Sequence, residues 1–210
     1  MNSFLAIDQG TTSSRAIIFN EGFEVVTESQ KEYQLKYPSD GWVEADPGII
    51  LNTVQETITN VINNYDGVIS SCGITNQRET TIVWSKKTGK SIYPAIIWQD
   101  RRTNKLCENL KALNYEGMIK EKTGLVLDPY FSATKIKWIL DNVPNARKDA
   151  EDGNLLFGTV DSFLIFNLSK EKKHVTDVTN ASRTMLFNIN TMNWDDDLLE
   201  LFDIPKLMMP

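Results

Sequence analysis

Two short β-favouring runs, Phe4-Leu5-Ala6-Ile7 and Ala16-Ile17-Ile18-Phe19, flank the polar segment Asp8-Gln9-Gly10-Thr11-Thr12-Ser13-Ser14-Arg15. That arrangement reads as a β-hairpin. A chain that opens this way is not built on the strand–loop–helix start of a dinucleotide fold. The turn joins an acid, a glycine, hydroxyl residues and an arginine. Such a turn can wrap a phosphate: N–H and O–H donors face the oxygens, Gly10 lets the backbone come close, and Asp8 can hold a magnesium ion. A polar hairpin loop with no ligand is the competing reading, because hydroxyl-rich turns are common.

The segments that follow set the fold class. Phe23 to Ser29 reads as a third strand. Asp46-Pro47 then opens a helix, with Asp46 as N-cap and Pro47 at the first helical position. Ile50, Val54, Ile58, Val61, Ile62 and Tyr65 keep its spacing of three and four, and Gly67 is expected to close it. A buried strand is predicted over Val68–Thr75. Three strands, a helix and another strand make an α/β plan, a mixed sheet backed by helices. Thr80–Trp84 and Ile92–Trp98 are expected to pair about a turn at Thr88-Gly89. Helices are predicted over Lys105–Lys120 and Ala133–Asn142, the second burying Ile136, Ile139, Leu140 and Val143. Leu155–Leu168 fits neither helix nor strand by pattern. A short amphipathic helix is predicted from Asp195 to Phe202. The apolar ending, Ile204 to Pro210, is what a longer chain cut at this point would show.

With 210 residues there is ample chain for a proper core, and 41% hydrophobic with 24% charged residues is ordinary for a soluble protein. A net charge of −6 with scattered Lys and Arg argues against a nucleic-acid groove. No apolar run approaches the roughly 18 residues that span a bilayer, and no secretory signal opens the chain. Cys72 and Cys107 are too few for a disulfide framework, which points to reduced thiols in a cytoplasmic protein.

Several motifs could carry chemistry. Thr88-Gly89-Lys90-Ser91 imitates the end of a P-loop, but Trp84 stands where the first glycine belongs and no helix follows, so a turn between strands is expected. Asn76-Gln77-Arg78-Glu79 follows a strand end, where open α/β sheets bind ligands. There it can hold a polyol's hydroxyls or merely form a surface ion pair. Trp98, before Gln99-Asp100-Arg101-Arg102, can offer an aromatic face or serve as core. Asp128-Pro129-Tyr130-Phe131-Ser132 precedes a helix. His174 is expected to be solvated and receives no role.

Taken together, these stretches resemble the FGGY family of carbohydrate kinases, and within it the branch that acts on glycerol. Residues 6–15, Asn76 to Thr81, Ile97 to Thr103, Asp128 to Lys135, Phe157 to Ser162 and Thr176 to Arg183 are similar to six of its blocks, in order. The resemblance implies an actin-like, ribonuclease-H-like fold with two domains closing over a cleft. It also implies ATP-dependent phosphorylation of glycerol to sn-glycerol 3-phosphate by a full-length homo-oligomer. Carried over by position, Asp8 would bind Mg2+, Thr11, Thr12 and Ser13 would line the ATP phosphates, and Arg15 would stabilise the transferring group. Arg78, Glu79 and Tyr130 would bind glycerol, with Trp98 packed on its carbon chain. The family's catalytic aspartate, followed by glutamine, would lie beyond Pro210, as would the rest of this domain and the C-terminal one. Asp161 and Asp177 are read as structural, so residues 1–210 alone are expected to be inactive. A non-catalytic module holding a polyol or a partner, and a sister kinase for another polyol or ketose, are the alternatives.

Overall fold

The computed structural model describes residues 2–210 and divides into two units, Met1–Leu35 with Ala45–Gln77, and Lys36–Glu44 with Arg78–Pro210. In the first unit β1 (Asn2–Gln9) and β2 (Ser13–Phe19) form the expected hairpin, with Asp8 opposite Arg15 and Gln9 opposite Ser14. β3 (Val25–Glu32) pairs antiparallel with β2. The chain leaves this unit and returns at β4 (Glu44–Ala45). It then forms α1 (Pro47–Asn63), where the Asp46 side chain accepts from Gly48 N–H as N-cap. β5 (Val68–Asn76) lies parallel to β1, completing the order β3-β2-β1-β5.

Alternation explains the layer beneath α1. Leu5, Ile7, Ala16 and Ile18 point to one face, as period 2 requires, and are buried with Ile50, Val54 and Val61 of the helix. Two expectations shift here. Thr53 and Thr57 take the buried stripe, while Ile62 is exposed, and the helix ends at Asn63, with Asn64 rather than Gly67 closing it. The buried threonines satisfy their hydroxyls on the carbonyls of Ile50 and Val54, one turn back. β5 is mostly exposed rather than buried, because it is an edge strand of this sheet.

The second unit is mainly helical around one apolar cluster. β6 (Ile82–Ser85) forms its continuous ladder with β8 (Leu155–Gly158), antiparallel. The segment after the turn, with β7 (Ala95–Ile96), meets residues 81–84 antiparallel as expected, through the isolated bridges Thr81 to Ile96 and Trp84 to Ser91 and a bond from Ile92 N–H to the Val83 carbonyl at 3.0 Å. Gly89 turns the chain between them at φ +74°, so the P-loop imitation is indeed a turn. The helix expected over 105–120 is two, α2 (Asn104–Ala112) and α3 (Glu116–Thr123), broken where Asn114 takes φ +63°. α4 (Ser132–Asn142) and α5 (Ala146–Glu151) follow. The undecided stretch resolves into β8 and α6 (Val160–Leu168), with Thr159 between them.

The remaining elements are α7 (Val178–Ala181), the hairpin β9 (Phe187–Asn188) and β10 (Asn193–Trp194), and α8 (Asp196–Leu201) capped by Asp195. Ile96, Leu127, Ile136, Ile139, Phe157, Leu186 and Phe202 are among the residues that close the core. No helix among the described residues is long and apolar enough to cross a membrane.

Candidate functional site

In the first unit, the Asp8–Arg15 turn is fastened through its backbone. Gly10 N–H donates to the Ser13 carbonyl at 2.8 Å, and Tyr33 N–H to the Thr12 carbonyl at 2.9 Å. The Gly10 carbonyl receives three donors: Gln9 Nε2 at 2.7 Å, Tyr33 Oη at 2.7 Å and Gln77 Nε2 at 3.0 Å. Gln9, Gln77 and the Tyr33 hydroxyl also bond one another, and all three side chains are buried. Burial pushes the Tyr33 phenol above its ordinary value, against the amide donors of Gln9 and Gln77.

The side chains read as phosphate and metal ligands, by contrast, are not buried. Asp8 and Thr12 are exposed, and Thr11, Ser13 and Arg15 half-buried. Arg15 is steadied by Gln30, whose Oε1 accepts from Nη2 at 2.8 Å and whose amide donates to Ser13 Oγ. Among the described residues no three His, Cys, Asp or Glu side chains gather around a metal position. A lone exposed carboxylate beside hydroxyls is still a donor set that fits magnesium. That ion keeps several waters and is usually held by one or two carboxylates plus substrate phosphates.

In the second unit three of the four expected residues, Glu79, Trp98 and Tyr130, lie together, and Arg78 stands apart. Glu79, 5% exposed, accepts from Arg183 Nε at 2.7 Å. The Tyr130 phenol is raised by its burial and then by the charge of Glu79, with Arg183 opposing, so its hydroxyl lies beside both. Trp98 and Tyr130 meet edge to face at 5.6 Å, and Tyr130 stacks likewise on Phe131 at 5.2 Å. The Arg183 guanidinium lies 5.0 Å over the Phe131 ring. Arg78, next in the chain, stands exposed. The surface pair between Arg78 and Glu79 does not form; the carboxylate has turned to Arg183 instead. Carboxylate, guanidinium, phenol and indole thus surround one small polar and apolar surface.

Two supports hold this surface in place. The Asp128 carboxylate caps the turn before α4, accepting from Tyr130 N–H at 2.8 Å and from Arg101. Arg102 is buried between the rings of Trp42 (3.8 Å) and Trp138 (4.6 Å) and makes two bonds to Asp100 and one to Glu44. Asp100 also accepts from Val43 N–H at 2.6 Å. The charged run after Trp98 is therefore scaffold rather than ligand surface. Charges this deep persist only when paired and hydrogen-bonded.

Asp161 and Asp177 are both tied into local structure. Asp161 is buried, with a raised pKa from that burial, and accepts from Thr159 and Thr176. Asp177 caps α7 through Asn180 N–H. His174 is not solvated: it is half-buried, bonded to the Phe157 carbonyl at 2.7 Å and edge-on to Trp84, and burial lowers its pKa. Sequence reasoning missed Tyr33, Gln9, Arg183 and Lys135 as parts of these clusters. Lys135 had a readable signal, since Ser132, Lys135, Ile136, Ile139 and Leu140 form one helical stripe in which a lysine is out of place.

The fold and these clusters define an α/β domain, a mixed sheet with flanking helices and a hydroxyl-rich turn. The model of the FGGY family of carbohydrate kinases, N-terminal domain, matches residues 3–210, and the chain belongs to that family. Curated glycerol kinases from Pseudothermotoga lettingae and Burkholderia multivorans are each 57% identical to it across 98% of its length. The chain spans 42% of the length of these two relatives. Among solved structures, Plasmodium falciparum glycerol kinase with ADP superposes with a TM-score of 0.94 at 38% identity. A ligand-bound xylulose kinase from Lactobacillus acidophilus does so at 0.91 and 25%. They cover the whole of this chain, which spans 42% and 41% of theirs. The fold is that of the actin-like ATPases.

Proposed function

We propose that this chain is the polyol- and phosphate-binding part of a kinase that transfers the γ-phosphoryl group of ATP to glycerol, giving sn-glycerol 3-phosphate. The observation that carries this is the identity pattern. Relatives named glycerol kinase reach 57%, whereas the xylulose kinase of nearly equal fold similarity stands at 25%. Fold alone does not choose a substrate; the side chains around Glu79 do. Glu79 accepts from a polyol hydroxyl, Arg78 donates to one, and Trp98 covers the carbon chain. A buried carboxylate suits this task because a substrate lacking the matching hydroxyl would leave unmet the lone pairs that Arg183 does not occupy.

In the reaction a glycerol oxygen bonds to the γ-phosphorus while the bond to the β–γ bridging oxygen breaks. The hydroxyl proton passes to a base. We read that base as an aspartate followed by glutamine, outside these residues. Thr11, Thr12 and Ser13 donate to phosphate oxygens, Asp8 anchors Mg2+, which neutralises phosphate charge, and Arg15 meets charge on the transferring group. Such transfer depends on positioning and electrostatics more than covalent catalysis. A homo-oligomeric, cytoplasmic full-length protein of two domains belongs to the same reading. On it, residues 1–210 by themselves give no efficient turnover.

The test is magnesium-dependent ADP release by the full-length protein, with glycerol, dihydroxyacetone, xylulose and ribulose offered side by side. Strong preference for glycerol is expected. Release with a ketose alone would reassign the acceptor, and release with none would favour a binding module.

A further inference from the structure

Lys135 is fully buried on α4, yet its Nζ reaches neither solvent nor a carboxylate at bonding distance. It donates to two backbone carbonyls, those of Glu79 at 2.9 Å and Tyr130 at 2.7 Å. Glu79 stands 56 residues away in the chain, just after β5; Tyr130 is in the turn before α4. These are the two residues whose side chains meet at the polyol surface. We propose that Lys135 is a positioning residue for the acceptor, pinning the backbones of Glu79 and Tyr130 to one nitrogen and so fixing the separation of carboxylate and phenol. The inference rests on the polyol reading of those two side chains.

Three features favour this over a stabilising role. A buried ammonium without a carboxylate at bonding distance is costly, so stability alone does not favour a lysine on this stripe. Burial lowers the Lys135 pKa to about 7, against the Asp100, Glu79 and Asp128 carboxylates that raise it, while Arg102 adds to the fall. The ammonium and the neutral amine both carry at least two N–H donors, so both carbonyls keep their bonds in either state. Near-attack geometry is also sensitive to small displacements: an ångström of misplacement from a remote change can cost on the order of a hundredfold.

The test compares Lys135→Met, of similar length and apolar, with Glu79→Gln in the full-length protein. For Lys135→Met, the glycerol KM should rise at least about tenfold, a loss on the scale of one well-placed polar contact. The ATP KM should stay within about twofold, and the melting temperature should change little, removal of the buried charge being offset by two carbonyls left without their donor. An unchanged glycerol KM, with Glu79→Gln raising it, would overturn the positioning role and leave the polyol reading standing. If Glu79→Gln also has no effect, the polyol reading fails and this inference with it. Equal losses for glycerol and ATP would make Lys135 merely structural. Should Lys135→Met not fold, Lys135→Gln retains an amide donor on a shorter stem. A smaller rise in glycerol KM is then expected, and none would again overturn the role.

Discussion

The two candidate clusters are held by opposite means. Around Glu79 the side chains themselves are fixed: the carboxylate by Arg183, the phenol beside both, the backbone by Lys135. At the Asp8–Arg15 turn the backbone is fixed, with three donors on the Gly10 carbonyl, and Asp8 and Thr12 are left to solvent. A small uncharged polyol brings little binding energy of its own, so its site gains from side chains ordered beforehand. A triphosphate with its metal brings several charges, and accessible donors on a rigid backbone suffice to meet them.

That contrast can be broken or sharpened in several ways. The largest effect is expected from Arg102→Met. It leaves the Asp100 and Glu44 carboxylates buried without their cation, at a cost of about 3–5 kcal/mol in thermal or denaturant unfolding. A loss under about 1 kcal/mol, the scale of a surface pair, would mean that the scaffold behind Trp98 is not rigid. Next, Asp8→Asn should lower turnover of the full-length enzyme by about 10²–10³, on the scale of losing one electrostatic stabiliser, without changing its melting temperature. Near-normal rates would remove magnesium from that residue.

Tyr33→Phe deletes the hydroxyl shared by Gln9, Gln77 and the Gly10 carbonyl. A stability loss of about 1–3 kcal/mol is expected, with the ATP KM rising more than the glycerol KM. If the glycerol KM rose more, the turn would not belong to the nucleotide.

The smallest effect is in pH. Lys135 holds its proton less tightly folded, at about 7, than unfolded, near 10.5. The unfolded chain therefore binds more protons between these values, and stability should rise with pH across that window, with the full cost present below it. Urea midpoints of the wild type should rise relative to those of Lys135→Met from pH 6.5 to 10. A constant gap would show that Lys135 is not perturbed.

The sequence exposed local structure better than long-range partners. The hairpin, the Asp46-capped helix and the Gly89 turn were legible because period, cap and turn chemistry act over a few residues. The exposure of β5 was not, since an apolar run does not reveal whether its face is covered. Leu155–Leu168 hid a strand and a helix because Leu155, Phe157, Val160, Phe163 and Leu164 are all buried, leaving no polar face to set a period. At the site, residue types were readable but pairings were not. An ion pair of Glu79 with its neighbour Arg78 was one of two readings, and Glu79 instead binds Arg183, 104 residues away.

Isothermal titration of the full-length protein with glycerol, and separately with ATP and magnesium, for Arg78→Ala and Asp8→Asn tests the division most directly. Arg78→Ala should weaken glycerol by at least about tenfold, one lost hydrogen bond to a charged group, and leave the nucleotide within about twofold. Asp8→Asn should do the reverse. Equal loss of both ligands in either variant, or glycerol affinity untouched by Arg78→Ala, would contradict the account.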